Sequence, residues 1–204
     1  AWDGEGNLFV STGDRSSTVT RGEAQELDAA LGKVLRITTD GVPASGNPFT
    51  DENGVLPEIY SYGHRNVQGL AVHPVTGELW ESELGPRGGD EVNRIEAGAD
   101  YGWPTISYGL EYSGVAIGSG ITQQNGMEQP VYYWDPVVSP SGMDFYSGNL
   151  IPEWTNNLFL GALSGQHIVR LVIEDDRVVG EERLMEGEGH RFRDILDGAD
   201  GALY

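Results

Sequence analysis

The chain has 204 residues, enough for one domain with a sizeable buried core or for two small ones. It carries 12 Lys and Arg against 32 Asp and Glu, and the resulting net charge of −20 disfavours binding to nucleic-acid phosphates and to anionic lipid surfaces. Cysteine is absent, which excludes disulfides, thiol catalysis and zinc–thiolate sites, and no apolar run is long enough to span a membrane.

A turn and strand motif recurs along the chain. A tight turn leading into a strand that opens with Leu and an aromatic residue occurs at 4–10, 76–80, 155–160 and 200–204. After each of the first three comes a second β-like motif, apolar-x-Arg-apolar or a near variant, at 34–37, 92–95 and 168–171. The last spacing, from Leu158 to Leu203, matches one four-stranded propeller blade of about 45 residues, and the longer spacings fit blades with inserted loops.

Helical periodicity is confined to one segment. Thr20 and Glu23 have capping-box spacing and Gly32 follows as a terminating glycine, which predicts a short helix within 20–31. Segments 41–54 and 107–129 are rich in Gly, Pro, Ser and Asn, which predicts long loops with a functional role. We therefore expect an all-β chain of about three and a half propeller blades, forming a single domain over 1–204.

The two ends of the sequence predict that it is part of a longer protein, and its charge indicates a habitat. It begins at Ala1 without methionine and stops within an apolar run at Tyr204, so we expect an excerpt of a longer protein, truncated at both ends. Lys33 is the only lysine, and a surface this acidic suggests a high-salt habitat.

The densest polar cluster is 60–70, where Arg65 stands beside Asn66. A guanidinium fork next to an amide suits a flat ligand that bears carboxylate or carbonyl oxygens. The alternative is that Arg65 pairs with one of the many surface acids. His64 by itself is more typical of a histidine satisfied by backbone groups than of a catalytic one.

Acidic residues dominate the next cluster, 81–91. Its carboxylates and the carbonyls of a Gly-Pro turn are hard oxygen ligands, which favour calcium over zinc or copper. The spacing matches no EF-hand loop, and solvated surface acids explain it equally well.

Arg191 and Arg193 are expected to share one face of a strand. Two adjacent guanidinium groups need either an anion between them or an acid beside each, for which Glu186, Glu188 and Asp194 are available. The aromatic run 131–136 suits either a pocket wall or a core strand. Phosphate-binding glycine loops and the G-x-S-x-G elbow are absent, which leaves little support for nucleotide cofactors or serine hydrolysis.

Five ordered motifs resemble the soluble pyrroloquinoline-quinone (PQQ)-dependent aldose sugar dehydrogenases, the glucose/sorbosone dehydrogenase family. They are LGKVLRI at 31–37, PEIYSYGHRN at 57–66, ELGPRGGDE at 83–91, YGWP at 101–104 and RFRD at 191–194. The resemblance extends over essentially all 204 residues. It implies a six-bladed β-propeller, of which this chain covers about three to four blades.

The resemblance also assigns site residues. It implies that Arg65 and Asn66 hold the quinone edge of PQQ, that Arg191 and Arg193 meet its carboxylates, and that Tyr112 is a further contact. Ser164 stands where some members have a lysine facing the cofactor. The implied calcium ligands are the Gly85 and Pro86 carbonyls, for the ion that polarises PQQ, and Glu91 with Tyr101, for a second, structural ion.

The implied activity is oxidation of an aldose at its anomeric carbon to a lactone, by hydride transfer to PQQ with calcium and with an external electron acceptor. A periplasmic or secreted location follows from the same resemblance. The family's histidine base is expected upstream of Ala1, so no catalytic residue is expected in this chain; its own histidines are His64, His73, His167 and His190. The alternatives are a calcium-dependent propeller lactonase or hydrolase and a non-catalytic propeller binding module.

Overall fold

A computed structural model describes residues 1–175 and 177–204. Two short 3-10 helices, at Arg21–Ala24 and Pro152–Trp154, are the helical elements of the described residues. The strands, in chain order, are β1 (Leu8–Thr12), β2 (Lys33–Ile37), β3 (Ile59–Tyr62), β4 (Val67–Val72), β5 (Leu79–Glu83), β6 (Asp90–Ile95), β7 (Tyr132–Trp134), β8 (Pro140–Phe145), β9 (Leu158–Ala162), β10 (Ile168–Glu174) and β11 (Arg177–Leu184).

The strands form three antiparallel sheets in which each strand pairs with its neighbour in sequence. The sheets have the orders β1-β2-β3, β4-β5-β6-β7 and β8-β9-β10-β11, the up-and-down pattern of propeller blades. A further bridge between Asp197 and Leu203 follows the third sheet and includes the fourth copy of the turn motif. The expected all-β propeller fold, covering three to four blades, is confirmed.

The two repeated motifs are partners within each sheet. The leucine that opens the turn motif pairs with the last apolar residue of the arginine motif, in the pairs Leu8 with Ile37, Leu79 with Ile95 and Leu158 with Leu171. The aromatic residue that follows each leucine pairs with the arginine of the second motif, in the pairs Phe9 with Arg36, Trp80 with Arg94 and Phe159 with Arg170.

Each of these arginines also fastens the turn before its partner strand. Arg36 Nε donates to Asp3 Oδ2 over 2.8 Å, and Arg170 Nε donates to Asn157 Oδ1 over 2.7 Å. Arg94 Nη1 lies 3.3 Å from Glu78 Oε1. The arginine motif therefore fixes strand register as well as strand type, because its side chain reaches the preceding turn.

The hydrophobic core lies between adjacent sheets. Trp80, which is fully buried, meets Phe145 edge-on with ring centroids 5.8 Å apart, and Leu158 and Leu160 belong to the same cluster. A second cluster, between the first two sheets, contains Phe9, Val34, Leu79, Ile95 and Tyr101. Burial of such side chains contributes roughly 1.5–3 kcal/mol each, so the blades stabilise one another mainly by face-to-face packing.

The expected helix differs from the one observed. Only residues 21–24 are helical within 20–31, and Thr20 makes no side-chain cap. Instead, Thr20 Oγ1 donates to the Asp14 carbonyl over 2.9 Å, so the capping-box prediction is wrong because a loop contact takes the hydroxyl. Gly32 has φ +65, and a Cβ there would lie 2.5 Å from the His64 carbonyl oxygen.

The aromatic run 131–136 supplies β7, the outer strand of the second sheet, with Trp134 buried. This places it as a core strand. None of the helices within 1–175 and 177–204 has the length or apolar character needed to traverse a lipid bilayer.

Candidate cofactor site

The candidate residues come from connections at one end of the sheets. Val67 at the start of β4 pairs with Glu83 at the end of β5, and Pro140 at the start of β8 pairs with Ala162 at the end of β9. The β3–β4, β5–β6 and β9–β10 connections therefore emerge side by side. They carry Arg65, Asn66, Gly85, Pro86 and Ser164.

Arg65 lies in the β3–β4 connection with a buried guanidinium, and the residue as a whole is 6% exposed. Its Nη1 donates to the Leu84 carbonyl, its Nη2 lies 3.3 Å from the Tyr112 hydroxyl, and its Cζ is 5.4 Å from the centre of the Trp103 ring. No carboxylate pairs with this guanidinium among the described residues. The alternative of a surface ion pair is therefore wrong, because the side chain turns inward.

Tyr112 reaches Arg65 from the long loop 107–129. Leu110 N donates to the Arg87 carbonyl over 2.9 Å, so this loop crosses the β5–β6 connection. The Tyr112 residue is 71% exposed, with its hydroxyl directed at Arg65. The loop thus adds an aromatic side chain to the open side of the candidate site.

Glu83 fixes the backbone that carries the Arg65–Asn66 pair. Its Oε2 accepts hydrogen bonds from Arg65 N at 2.6 Å and from Asn66 N at 3.1 Å. The Asn66 side chain is half-buried, and its Oδ1 accepts from Gln68 Nε2 at 2.9 Å. The pair is therefore held through its main chain, while the Arg65 guanidinium is fixed separately by Leu84 and Tyr112.

The Gly85–Pro86 turn is fixed by Asp90. Gly85 N donates to Asp90 Oδ1 over 2.8 Å, and Asp90 Oδ2 accepts from Val138 N and Ser139 N at 2.8 and 2.7 Å. A Cβ on Gly85 would lie 2.2 Å from the Gly88 carbonyl oxygen, so only glycine fits there. No hydrogen bond between described residues ends on the Gly85 or Pro86 carbonyl oxygen.

Ser164 joins the same network from the third sheet. Its exposed hydroxyl lies 2.8 Å from Ser139 Oγ, beside the amide that binds Asp90. The β5–β6 and β9–β10 connections are therefore linked through Asp90 and Ser139.

A small, partly open cavity of about 20 Å³ lies beside Arg65. Its lining includes Glu83, Gly85, Glu91 and Tyr101. A single water molecule needs roughly 10–15 Å³ by this measure, so the cavity has room for one water or one ion. Burial, followed by the nearby Glu83 carboxylate, raises the pKa of Glu91 well above its usual value.

Tyr101 also lines this cavity. Its hydroxyl donates to the Arg94 carbonyl over 2.6 Å and accepts from Glu96 N at 2.9 Å. Both partners belong to the protein, so the hydroxyl is committed. Its carbonyl oxygen accepts no hydrogen bond within 1–175 and 177–204, which leaves that oxygen as the available ligand atom.

Arg191 and Arg193 lie beside β8. Ser141 Oγ donates to the Phe192 carbonyl over 2.9 Å, and Gly142 N donates to the Arg193 carbonyl over 3.0 Å, so Arg191 lies near the start of β8. The segment is extended but is not a strand, contrary to the expectation. It pairs with β8 only through this irregular set of contacts.

Both guanidinium groups are exposed, and neither forms an ion pair with a described residue. Asp194 Oδ1 instead accepts from Ile195 N at 3.0 Å. Neutralisation by Glu186, Glu188 or Asp194, the second explanation offered for the paired arginines, is thus wrong for the described residues. Two unpaired cations in a chain of net charge −20 favour an anionic ligand.

The histidines are placed very differently from one another. His73 lies at the β4–β5 turn, at the opposite end from the candidate site, where its Nδ1 accepts from Val75 N at 3.2 Å. His167 is buried beside Gly165, and His190 is exposed next to Arg191. His64 is also buried, but a hydroxyl, Ser61 Oγ, contacts its Nε2 at 2.8 Å, so the expectation that backbone groups satisfy it is wrong.

Three residues of the site escaped the sequence analysis as individuals. Glu83 and Asp90 stand within the ELGPRGGDE motif, yet in an acidic chain their role as acceptors for buried amides has no sequence signal of its own. Trp103 stands in the YGWP motif, and its contact with Arg65 spans a long separation in sequence. Only the motifs themselves could have indicated these residues.

Comparison with known proteins gives one consistent result. The sequence model of the family described as Glucose / Sorbosone dehydrogenase matches residues 1–204. The chain is 41% identical over 204 residues to aldose sugar dehydrogenase YliI of Escherichia coli (strain K12), covering all of this chain and 54% of that protein. It thus spans about half the length of the curated relatives it matches.

Comparison with solved structures indicates the same family. A crystal structure of glucose dehydrogenase superposes with a TM-score of 0.94 at 44% identity, covering all of this chain and 58% of that one. The PQQ-bound form of aldose sugar dehydrogenase from Streptomyces coelicolor superposes with a TM-score of 0.74 at 32% identity, covering 96% of this chain and 50% of that one. With the family match extending over its whole length, this chain belongs to the glucose/sorbosone dehydrogenase family.

Proposed function

We propose that the intact protein carrying this chain oxidises aldose sugars at the anomeric carbon to lactones, using PQQ and calcium. The observation that carries the proposal is the set of three arginines without carboxylate partners at one end of the sheets: buried Arg65, and exposed Arg191 and Arg193. Family membership supports the sugar substrate, and the PQQ-bound relative supports the cofactor.

The residues fit a planar ligand that bears carboxylates and quinone oxygens. Arg65 and Asn66 are fixed through their main chains by Glu83, which makes them rigid donors for the quinone edge. Arg191 and Arg193 are free to make charge-assisted hydrogen bonds to carboxylates. Tyr112 and Ser164 are assigned as further contacts, with Ser164 offering a hydroxyl where some relatives offer a cation.

The residues also fit calcium. The Gly85 and Pro86 carbonyls, which accept no hydrogen bond from described residues, would face the ion at PQQ. Glu91 and the Tyr101 carbonyl would hold the second ion, since the cavity they line is large enough for one ion and lies between carboxylates. Hard oxygen donors of this kind prefer calcium.

Bound PQQ would accept the hydride of the anomeric C–H as the sugar becomes a lactone. Arg65 would stabilise the negative charge that develops at the quinone edge, because its guanidinium is already fixed and shielded from water. Arg191 and Arg193 would orient the ligand. The proton of the anomeric hydroxyl needs a base, and we assign it to a histidine of the intact protein outside this chain, as the family pattern implies.

An external electron acceptor completes the turnover, because the reduced cofactor must be reoxidised. We further propose a periplasmic or secreted location, where a sugar and such an acceptor are both accessible. Both assignments rest on the family.

The test is the double variant Arg191→Ala/Arg193→Ala of the intact protein. Charge-assisted contacts contribute about 1.5–3 kcal/mol each, and each 1.4 kcal/mol is a factor of ten. We expect PQQ affinity, measured by equilibrium titration in calcium, to fall about a hundredfold or more. The matched control is Arg177→Ala, an exposed arginine at the opposite end of the third sheet.

Unchanged PQQ affinity in the double variant would overturn the assignment of the carboxylate contacts. Equal losses in the double variant and in Arg177→Ala would instead point to net charge. Sugar oxidation by residues 1–204 alone, with PQQ and calcium, would contradict the assignment of the base to the rest of the protein.

A further inference from the structure

Three buried side chains of the second blade meet next to the candidate cofactor site. They are His64, Glu81 and Glu83, and one ligand atom from each lies within 4.8 Å of the others. All three are almost fully shielded from solvent. Glu83 also lines the cavity assigned above to calcium, beside Glu91 and Tyr101, whereas His64 and Glu81 are not part of that lining.

His64 presents one free ring nitrogen to this group. Its Nε2 lies 2.8 Å from Ser61 Oγ, and its ring stacks on Tyr101 with centroids 4.7 Å apart. Its Nδ1 is buried without a hydrogen-bond partner and lies 3.9 Å from both Glu81 Oε1 and Glu83 Oε1. The Ser61 hydroxyl on Nε2 fixes the ring orientation. In a metal-bound form Nε2 would donate to that hydroxyl and the lone pair of Nδ1 would face the carboxylates, as for histidines that bind metals.

The two carboxylates are also held by hydrogen bonds. Glu83 Oε2 is engaged by the Arg65 and Asn66 amides, and its Oε1 faces His64. Glu81 Oε1 accepts from Asn93 Nδ2 at 2.7 Å, while its Oε2 is buried without a partner. In His64 and Glu83 the atom that faces the group differs from the atom that the protein fixes. In Glu81 the same oxygen, Oε1, accepts from Asn93 and lies 3.9 Å from His64 Nδ1, while Oε2 is buried without a partner. Glu81 can therefore bind a ligand through the second lone pair of Oε1 or through Oε2.

The group lacks a compensating cation of its own. No lysine or arginine side chain forms an ion pair with Glu81 or Glu83 in the part of the chain that the structure describes. A separation of 3.9 Å is too long for a hydrogen bond, but an ion bound at about 2.0–2.2 Å from each atom bridges it. His64 Nδ1 and Glu81 Oε2 are buried without a partner beside two carboxylates, which is costly, so an ion accounts for both the geometry and the burial.

We propose that His64 Nδ1, Glu81 and Glu83 form a buried site for one divalent transition-metal ion of the zinc class. The imidazole ligand favours zinc over calcium, since calcium prefers oxygen ligands alone. The ion is structural: through Glu83 it fixes the main chain of Arg65 and Asn66, one hydrogen bond away from the candidate cofactor site. The proposal does not depend on the identity of the cofactor.

The test is zinc binding by the intact protein after dialysis against a chelator, in calcium-containing buffer. We expect one zinc ion bound per chain, with His64, Glu81 and Glu83 as its ligands. Glu81→Gln, which keeps shape and removes charge, is expected to lower zinc affinity at least about a hundredfold, more than loss of an outer-sphere partner does. His167→Gln is the matched control, because His167 is equally buried but belongs to no carboxylate cluster.

X-ray absorption at the zinc edge tests the wild-type protein without any variant. Imidazole nitrogen together with carboxylate oxygen around zinc supports the site, and oxygen neighbours alone overturn it. Absence of stoichiometric zinc, or unchanged zinc affinity in Glu81→Gln, also overturns it. Binding that is lost in Glu91→Gln but kept in Glu81→Gln would assign the ion to the neighbouring cavity and overturn the proposal.

Discussion

Strands β5 and β9 occupy the same position in adjacent blades, and both bury all five of their residues. Their sequences are LWESE and LFLGA. The first two residues of each are equivalent core residues. The last three differ in kind: β9 continues with small and apolar residues, whereas β5 buries Glu81, Ser82 and Glu83.

The strands that pair with β5 and β9 differ in the same way, polar in one case and apolar in the other. Leu160 of β9 pairs with Val169, while the equivalent Glu81 of β5 pairs with Asn93. The blade tolerates a purely apolar strand at this position, so stability alone does not require the polar residues of β5. Their burial distinguishes the second blade, in which Glu83 fixes the main chain of Arg65 and Asn66.

Glu81 and Glu181 differ both in burial and in the number of donors. Burial, followed by the nearby Glu83, raises the pKa of Glu81 well above its usual value, against one donor, Asn93. Glu181 of β11 has three donors, Arg183, Tyr132 and Trp134, which together lower its pKa although burial opposes them. Burial raises the pKa of both carboxyl groups; it prevails at the fully buried Glu81 with one donor, but not at the less buried Glu181 with three.

The largest expected effect comes from transferring a β5 residue into β9. Leu160→Glu in the intact protein places a carboxylate opposite Val169 with no donor equivalent to Asn93. We expect a loss of about 3–5 kcal/mol of unfolding free energy, the usual cost of an uncompensated buried charge. Urea unfolding measures it. Leu160→Met is the volume-conserving control, and a loss below 1 kcal/mol in Leu160→Glu would contradict the comparison.

The reverse exchange is expected to have a smaller effect and the opposite sign. Glu81→Leu/Asn93→Val gives β5 and β6 the apolar pair of the third blade. In chelator, we expect a gain of about 1–4 kcal/mol, because a buried polar pair is replaced by a packed apolar pair. Thermal unfolding with and without zinc measures it. Loss of stability in chelator would show that the polar pair stabilises the blade without an ion.

Glu181→Gln sharpens the distinction between the two glutamates through pH. The pKa of Glu181 is lowered in the folded state, so its contribution is complete above the unfolded pKa and is lost as pH falls through the folded pKa. We expect the variant to lose about 1–2 kcal/mol at neutral pH. This difference from wild type should shrink on acidification, measured by urea unfolding between neutral and acid pH. A pH-independent difference would contradict the charge argument.

An increase in salt concentration is expected to have the smallest effect on stability. It should not change the difference in stability between wild type and the Glu81→Leu/Asn93→Val variant. Salt screens the repulsion between the surface charges that give the net charge of −20. The melting temperature of the intact protein should therefore rise as salt increases from low to molar concentration. Wild type and Glu81→Leu/Asn93→Val should shift equally, since the exchanged residues are buried. Flat or falling stability would remove the high-salt interpretation of the composition.

Local sequence patterns were sufficient for the fold. The turn motif and the arginine motif predicted paired strands, because both signal local turn chemistry and strand alternation. Their spacing predicted the blades. The capping-box prediction at Thr20 failed because a distant carbonyl, that of Asp14, competes for the same hydroxyl.

For the site, the sequence by itself determined which residue types are present and, through ordered motifs, the family. Only the tertiary structure decided how they act: that Arg65 turns inward without a carboxylate, that the Tyr101 hydroxyl is committed to the backbone, and that Glu81 and Glu83 converge on His64. In a chain with 32 acidic residues, a buried carboxylate and a solvated one look identical in sequence. They differ physically because burial removes water, and only the packed blades determine which groups replace it.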